Sequence, residues 1–360
     1  MPWIFDLYTD YLIINHGQST ATGLSALLEG KVKHDSITRA LSEKTYGSRD
    51  LWLAVKSFVH QVASSEAVLI IDDTVEEKPY MEENAIICWH WDHCLKRSIK
   101  GINQLTALYY SSQVSLPVGY DIVAKTQWIH DTKTGKDKRI SPVSKQEKFR
   151  RLIEQSITNG LLFSYILAHS WFSAAENMRF IGQQKRLFIL PLKSNRKVAL
   201  SLADQQQGKY QSRRGTAIES LVLEEQQCLQ VWLEAVDFPL QLTKQVFQNK
   251  DGSQGLLYLV TNDSTIDAQQ IQTIYAKRWK VEEFYKSIKS NTGYAKSPTH
   301  RVRTQSNHLF LSMLAFVKLE ALKISTKLNH FAIKSLLALN ALKIAWKRLQ
   351  LLKANNSLLN

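Results

Sequence analysis

One segment, Ile274 to Tyr294, carries side chains that could act together on a phosphodiester. It contains Tyr275, Arg278, Glu282 and Lys289 with the spacing Y-x2-R-x3-E-x6-K. A helix turns about 100° per residue, so it places these four side chains on one stripe about 60° wide. Tyr, Arg and Lys can hold phosphate groups, and Glu can bind a divalent cation. The spacing therefore predicts a helix face that holds phosphate and metal together. The alternative is a solvated helix with incidental ion pairs.

The elements that would position this helix follow from the hydrophobic pattern earlier in the chain. The run AVLIIDDT is a short apolar strand that ends in acids, and residues 104–129 read as two further strands joined near Ser115 and Pro117. Residues 131–146 are predicted to be a charged loop. A helix, a buried strand, a second helix and a fifth strand follow, ending at Lys193. The order β-β-β-α-β-α-β predicts an α/β fold in which a mixed sheet has helices on both faces.

Helical regions flank this core and a β-rich segment interrupts it. Two helical patterns separated by a turn at Gly30 are either a helix-turn-helix that contacts DNA or an ordinary helical pair. In the C-terminal region we expect the apolar residues to pack and the lysines to face solvent. The predicted regions are a helical N-terminal DNA-binding region (1–65), the first part of the core (66–194), a β-rich insertion (195–262), the second part of the core with the catalytic helix (263–300), and a helical, basic C-terminal region (301–360).

The charge of the chain indicates an anionic partner. The formal net charge is +14, and the segment from Tyr275 to Lys353 holds 16 Lys and Arg against three Glu, a net charge of +13. Such a balance suggests nucleic acid or an anionic membrane surface. No run of 18 uncharged apolar residues is present, so no membrane partner is predicted. The three cysteines are too few for a disulfide framework, and with no signal peptide at the start a cytoplasmic location is expected.

The Y-x2-R-x3-E-x6-K spacing resembles the signature of DDE transposases of bacterial insertion sequences, in the insertion-sequence-4 family. The resemblance extends to the runs VLIIDDTVEEKPY, CWHWDHCLKRSIKGINQL and YILAHSWFSAAENM, from about Val68 to His330. It implies an RNase H-like core that carries a β-rich insertion. It also implies an enzyme that binds the terminal inverted repeats of a transposon, cuts DNA by metal-assisted hydrolysis and joins the end to target DNA. A homodimer is expected in the complex with double-stranded DNA.

Such a site uses carboxylates to hold two divalent cations about 4 Å apart, and Mg²⁺ or Mn²⁺ is the expected cofactor. The resemblance implies Asp73 and Glu282 as catalytic residues and metal ligands. Asp72 is adjacent to Asp73, but side chains alternate along a strand, so only one should face the site. The Asp-Thr pattern of the resembling family favours Asp73. Glu283 points about 100° away from Glu282 and is expected at the surface.

The second acidic position departs from the family pattern, because His169 stands where the resembling family has Asp. Three interpretations remain open. The chain is an inactivated relic that acts only as a DNA-binding protein; or His169 is itself a ligand, with Mn²⁺ preferred over Mg²⁺; or a nearby acid such as Glu176 substitutes.

The remaining DNA contacts are implied by the resemblance or by local charge. Arg278 and Lys289 would hold phosphates beside the cleaved bond, and Tyr275 would donate a hydrogen bond to one. Trp279 or Trp171 could stack on an unpaired base, although a tryptophan in such a position is more often a core residue. Arg301 and Arg303 lie in the basic segment SPTHRVRTQ, which suits contact with the DNA backbone.

Overall fold

The computed structural model describes residues 2–92, 95–132, 135–210, 223–248 and 251–354. The chain divides into two compact units. The first unit comprises Met1–Ala54, Glu76–Ile102 and Glu283–Asn360, and the second comprises Val55–Val75 and Asn103–Glu282. Across the described ranges, no helix is long and apolar enough to cross a membrane.

The strands and helices alternate through the middle of the chain, and helices occupy both ends. The strands are β1 (Val68–Glu77), β2 (Cys88–Asp92), β3 (Arg97–Ser111), β4 (Val114–Ile122), β5 (Gln127–Asp131), β6 (Lys136–Ile140), β7 (Tyr165–Ala168), β8 (Leu187–Leu192), β9 (Val198–Ala199), β10 (Cys228–Leu233), β11 (Leu240–Gln248) and β12 (Gln254–Thr261). The helices are α1 (Trp3–Ile14), α2 (Ala21–Leu27), α3 (His34–Ser42), α4 (Ser48–Gln61), α5 (Lys145–Thr158), α6 (Ala175–Gln183), α7 (Leu202–Gln206), α8 (Ala268–Ala276), α9 (Lys280–Asn291), α10 (Val302–Thr326) and α11 (His330–Ala354).

The second unit is built on a mixed sheet in which the strands follow in the order β3-β1-β7-β8-β12-β11-β10-β9, and β4 also pairs with β3. Strands β1, β7 and β8 are parallel, whereas β3 and β4 pair antiparallel. The apolar residues Val68–Ile71 of β1 are fully buried, as expected for a strand covered on both faces. This arrangement confirms the predicted mixed sheet flanked by helices and is consistent with an RNase H-like fold.

The β-rich segment extends the same sheet. β12 pairs antiparallel with β8, and β11, β10 and β9 follow outward. Within this segment the sequence NKDGSQG predicts a turn between strands. Its first residues, Asn249 and Lys250, lie outside the described residues, as do residues 211–222.

Two local predictions were wrong. The turn between β3 and β4 lies at Ser112 and Gln113, whose φ angles of 50° and 66° suit a tight hairpin turn. Pro117 lies inside β4, beside an irregularity in the register with β3, where a missing N–H can be accommodated. The predicted charged loop contains instead an antiparallel hairpin, β5–β6, because five residues on each side pair in register.

In the first unit, the terminal helical regions pack against each other around α10. The side chain of Asn307 on α10 donates to the carbonyl oxygens of Leu41 and Lys44 and accepts from the N–H of Tyr46. The apolar residues of α10 are mostly buried, whereas in the described part of α11 only His330 and Ile333 are buried. The expectation that the apolar tail residues pack is therefore correct for α10 and wrong for α11.

Candidate active site

The candidate site lies beside the middle of β1, where the neighbouring strand β7 ends. These strands are parallel, and Ile71–Ala168 is the last pair of their ladder, so Asp72 and His169 each follow directly after it. Residues that pair in register point to the same face of a sheet, and successive residues point to opposite faces. Asp72 and Asp73 therefore point to opposite faces of β1, and Asp72 is the one that follows Ile71 as His169 follows Ala168.

Arg278 joins the first and third acidic positions. Its Nη1 atom lies 3.2 Å from a carboxylate oxygen of Asp72 and 3.2 Å from one of Glu282. The sum of these distances, about 6.4 Å, is the upper limit for the separation of the two oxygens. A pair of metals about 4 Å apart fits that span. The structure thus brings together Arg278 and Glu282 as predicted, but with Asp72 as their partner.

The environment of Asp72 raises its pKa to about 7. Burial is the largest cause, and the negative charge of Asp73 adds to it, whereas the Arg278 guanidinium acts in the opposite direction. A carboxyl with this pKa changes its charge near neutral pH, so an approaching cation can stabilise its ionised form. Glu282 retains 42% exposure of its side chain and is open to a ligand.

Asp73 faces a different set of partners. One of its carboxylate oxygens accepts hydrogen bonds from Asn103 at 2.7 Å and from Lys145, at the start of α5, at 2.6 Å. In the sequence, only the Asp-Thr pattern distinguished Asp73 from Asp72, because strand alternation alone does not say which face of β1 carries the site. The register of β1 with β7 and the position of Arg278 supply that information.

His169 immediately follows β7 and begins a 3-10 turn, Ser170–Phe172. Its Nδ1 atom accepts a hydrogen bond from the Trp171 backbone N–H at 3.4 Å. Trp171 is 45% exposed. Glu176, the proposed substitute acid, lies on α6 at 3.4 Å from Arg150 of α5, which is consistent with a helix carrying it into that contact.

The helix that carries the Y-R-E-K spacing is not continuous. α8 begins with a capping box at Asp267 and Gln270, and a 3-10 turn, Lys277–Trp279, separates it from α9. Arg278 sits in that turn, with its guanidinium 5.9 Å from the ring centre of Tyr275. The single helix predicted across this segment is thus a helix, a tight turn and a second helix.

Tyr275 is buried, and its hydroxyl donates to the carbonyl oxygen of Ala168 at 3.3 Å. Burial raises its pKa to about 12, against the effect of Arg278. The phenol thus fastens α8 to the end of β7, one residue before His169. Trp279, in contrast, is 60% exposed, so its ring is open to a partner.

The other predicted DNA contacts lie in the first unit. Lys289 of α9 lies 3.6 Å from the buried carboxylate of Glu76. Arg303 donates to the backbone carbonyls of Ser42 and Glu43, which ties α3 to α10. Arg301 is exposed at the N-cap of α10. Glu283, expected at the surface, is exposed.

The donors available to a metal are the carboxylates of Asp72 and Glu282. Hard oxygen ligands of this kind suit Mg²⁺ and Mn²⁺. Over the described ranges, no group of three or more His, Cys, Asp or Glu side chains is arranged to hold a metal ion. Asp72 and Glu282 fit a divalent cation but form an incomplete set of metal ligands. The Arg278 guanidinium supplies the positive charge between the two carboxylates.

The comparison with known families gives the class of protein to which the chain belongs. Residues 3–233 match the family described as DDE superfamily endonuclease. The match covers more than half of the chain, and the chain belongs to that family. No curated protein matches the chain significantly. DNA as the substrate and a nuclease-type reaction are the functions that this family implies.

Proposed function

We propose that the chain is a DDE-type transposase of a bacterial insertion sequence, of the insertion-sequence-4 type. It binds terminal inverted repeats and target DNA as a homodimer in the cytoplasm, cuts the DNA and transfers the cut strand. The observation that carries the proposal is the convergence of Asp72, Arg278 and Glu282 beside the end of β7. The family match supports the nuclease reaction.

In this proposal Asp72 replaces Asp73 as the first metal ligand, and Glu282 is the last. Bound Mg²⁺ or Mn²⁺ would activate the attacking oxygen and stabilise the leaving oxygen. Arg278 holds the two acids together before the cation binds and, once released from one of them, is placed to hold a phosphate. Trp279, Lys289, Arg301 and Arg303 remain proposed DNA contacts, as does the phenol of Tyr275 if it leaves Ala168.

A second candidate function is favoured by one observation. His169 directly follows the end of β7, as Asp72 follows its neighbour Ile71 on β1, and it supplies no negative charge to a site that needs to offset two cations. A chain with this lesion would retain DNA binding and lose cleavage. This relic would still bind the DNA that flanks its reading frame.

Calorimetric titration with Mn²⁺ tests the assignment of the acids. We expect the parent chain to bind Mn²⁺, and Asp72→Asn or Glu282→Gln to weaken that binding at least tenfold. Asp73→Asn is the matched control, since it removes the same charge on the opposite face of the strand, and it should bind nearly as well as the parent. Loss of binding in Asp73→Asn with retention in Asp72→Asn would contradict the assignment.

A further inference from the structure

The hairpin β5–β6 is separate from the large sheet of the second unit. Five residue pairs, from Gln127–Ile140 to Asp131–Lys136, join its strands, and in the described chain they form a two-stranded sheet of their own. Trp128 is 63% exposed and Ile129 is 39% exposed, and these neighbours point to opposite faces. Both faces of the hairpin are therefore open to a partner.

The hairpin is held in shape by contacts among its own side chains. The guanidinium of Arg139 lies 4.8 Å from the ring centre of Trp128, directly across the strand pair. Lys138 pairs with Asp131 at 2.8 Å, and His130 contacts Asp137 at 2.8 Å. A two-stranded hairpin alone is only marginally stable in water, so these contacts keep an otherwise exposed ribbon folded.

The charge of the hairpin indicates the chemical class of its partner. Residues 125–140 contain five Lys and Arg against two Asp, a net charge of +3. Both aspartates are engaged by side chains of the hairpin itself, and Lys136 is exposed to solvent. A polyanion complements this surface, whereas a second copy of a ribbon with the same charge would be repelled.

The base of the hairpin is fixed close to the candidate active site. The buried ammonium of Lys148 contacts the carboxylate of Asp121 and the carbonyl oxygen of Ile122, where β4 ends. On the other side, Lys145 follows β6 by five residues and binds Asp73. Five residues span at most about 18 Å, so the end of the hairpin lies within about that distance of the backbone of Lys145, whose side chain reaches Asp73.

We propose that β5–β6 is a β-ribbon arm that binds duplex DNA beside the cleaved bond. A two-stranded ribbon fits the major groove of B-DNA, and Lys and Arg on it would contact the phosphates on either side. The inference rests on the proposed function, since it takes DNA to be the ligand of the site. It adds a contact that holds the duplex while Asp72 and Glu282 act.

The test is the salt dependence of DNA binding, measured by fluorescence anisotropy with a labelled duplex taken from the DNA that flanks the reading frame. Lys136→Ser should bind more weakly, and the slope of log K against log salt should fall by about 0.9, the value for one lost phosphate contact. The matched control is Lys197→Ser, which removes an exposed lysine of the same unit outside the hairpin and should keep the parent slope. Lys136→Arg should restore the slope.

The outcomes separate the two proposals. If the parent chain does not bind the duplex, both the proposed function and the arm are wrong. If the parent binds and the hairpin variants keep its affinity and slope, only the arm is wrong. If the variants instead change the sedimentation of the chain without DNA, the hairpin binds a second copy and the arm is overturned.

Thermal melting of each variant shows whether a weaker affinity comes from unfolding. If the serine variant has a lower melting temperature than the parent, Trp128→Ala takes its place as the test of the arm. This variant should weaken DNA binding several-fold if the arm contacts DNA, and it should leave the affinity unchanged if the arm does not.

Discussion

The choice between two neighbouring aspartates is where the sequence and the structure differ most for function. The motif favoured Asp73, whereas the structure places Asp72 in contact with Arg278. The residue types of the site were predictable because few side chains can hold metal and phosphate. The face on which each of them lies was not, because it depends on how β1 pairs with β7.

The pKa of Asp72 gives a first test at the scale of the residue. Its pKa, raised to about 7 in the folded chain, is well above the usual value for Asp, so between about pH 4 and about pH 7 the folded chain binds more protons than the unfolded chain. The stability contributed by this residue therefore falls as the pH rises through that window. Asp72→Asn cannot titrate, so its free energy of unfolding should rise relative to that of the parent, by up to about 1.4 kcal/mol per pH unit.

Urea denaturation of both chains across this pH range measures the difference. Two stability curves that stay parallel from about pH 4 to about pH 8 would show that Asp72 titrates outside the window.

His169 gives the second residue-scale test. Two divalent cations carry a charge of +4, and Asp72 with Glu282 offsets only −2. His169→Asp adds a third carboxylate and should restore or greatly raise Mg²⁺-dependent cleavage of a terminal repeat. With His169 in place, Mn²⁺ should support more activity than Mg²⁺, because nitrogen ligands suit it better. Equal and strong Mg²⁺-dependent cleavage by both chains would mean that another residue completes the site.

At the scale of the element, strands and helices with a clean periodicity were predictable. The apolar run of β1 predicts a buried strand, and the leucine pattern of α10 predicts a helix that packs in the core, because each element must bury one face or its whole surface. The β5–β6 hairpin was missed because its alternation is made of charged side chains, and neither face is apolar. The 3-10 turn at Lys277–Trp279 was missed because the helical spacing continues through it.

A polar contact links the N-terminal helices to α10 and can be tested by one substitution. Asn307 is fully buried, and its amide satisfies two backbone carbonyls and one backbone N–H between α3 and α4. Asn307→Ala should lower the free energy of unfolding by about 3 kcal/mol, because the buried backbone groups lose their partner. The exposed Asn195→Ala is the control and should have little effect. Equal denaturation midpoints for both variants would contradict the structural role given to Asn307.

At the scale of the whole molecule, charge distribution predicts where DNA binds. The segment from Tyr275 to Lys353 carries a net charge of +13, and α11 contributes Lys343, Lys347 and Arg348, all exposed. We expect strongly salt-dependent binding, and the triple variant with serine at these three positions should lower the salt slope by up to about 2.7. Deletion of α10 cannot test this prediction, because the apolar side chains of α10 form part of the core and the deletion would disturb the fold.

Anisotropy titrations across a range of salt concentrations check this expectation. A flat salt dependence for the parent chain would remove the electrostatic account of binding, and an unchanged slope in the triple variant would exclude α11 from it.

The central claim is that Asp72 and Glu282 form the metal site of a DNA-cleaving enzyme. Its most direct test is cleavage of a duplex carrying the flanking terminal repeat by chains that already contain His169→Asp. We expect His169→Asp to cut in Mg²⁺, His169→Asp/Asp72→Asn to lose at least a hundredfold in rate, and His169→Asp/Asp73→Asn to keep most of it. Cleavage that survives Asp72→Asn and disappears with Asp73→Asn would contradict the claim.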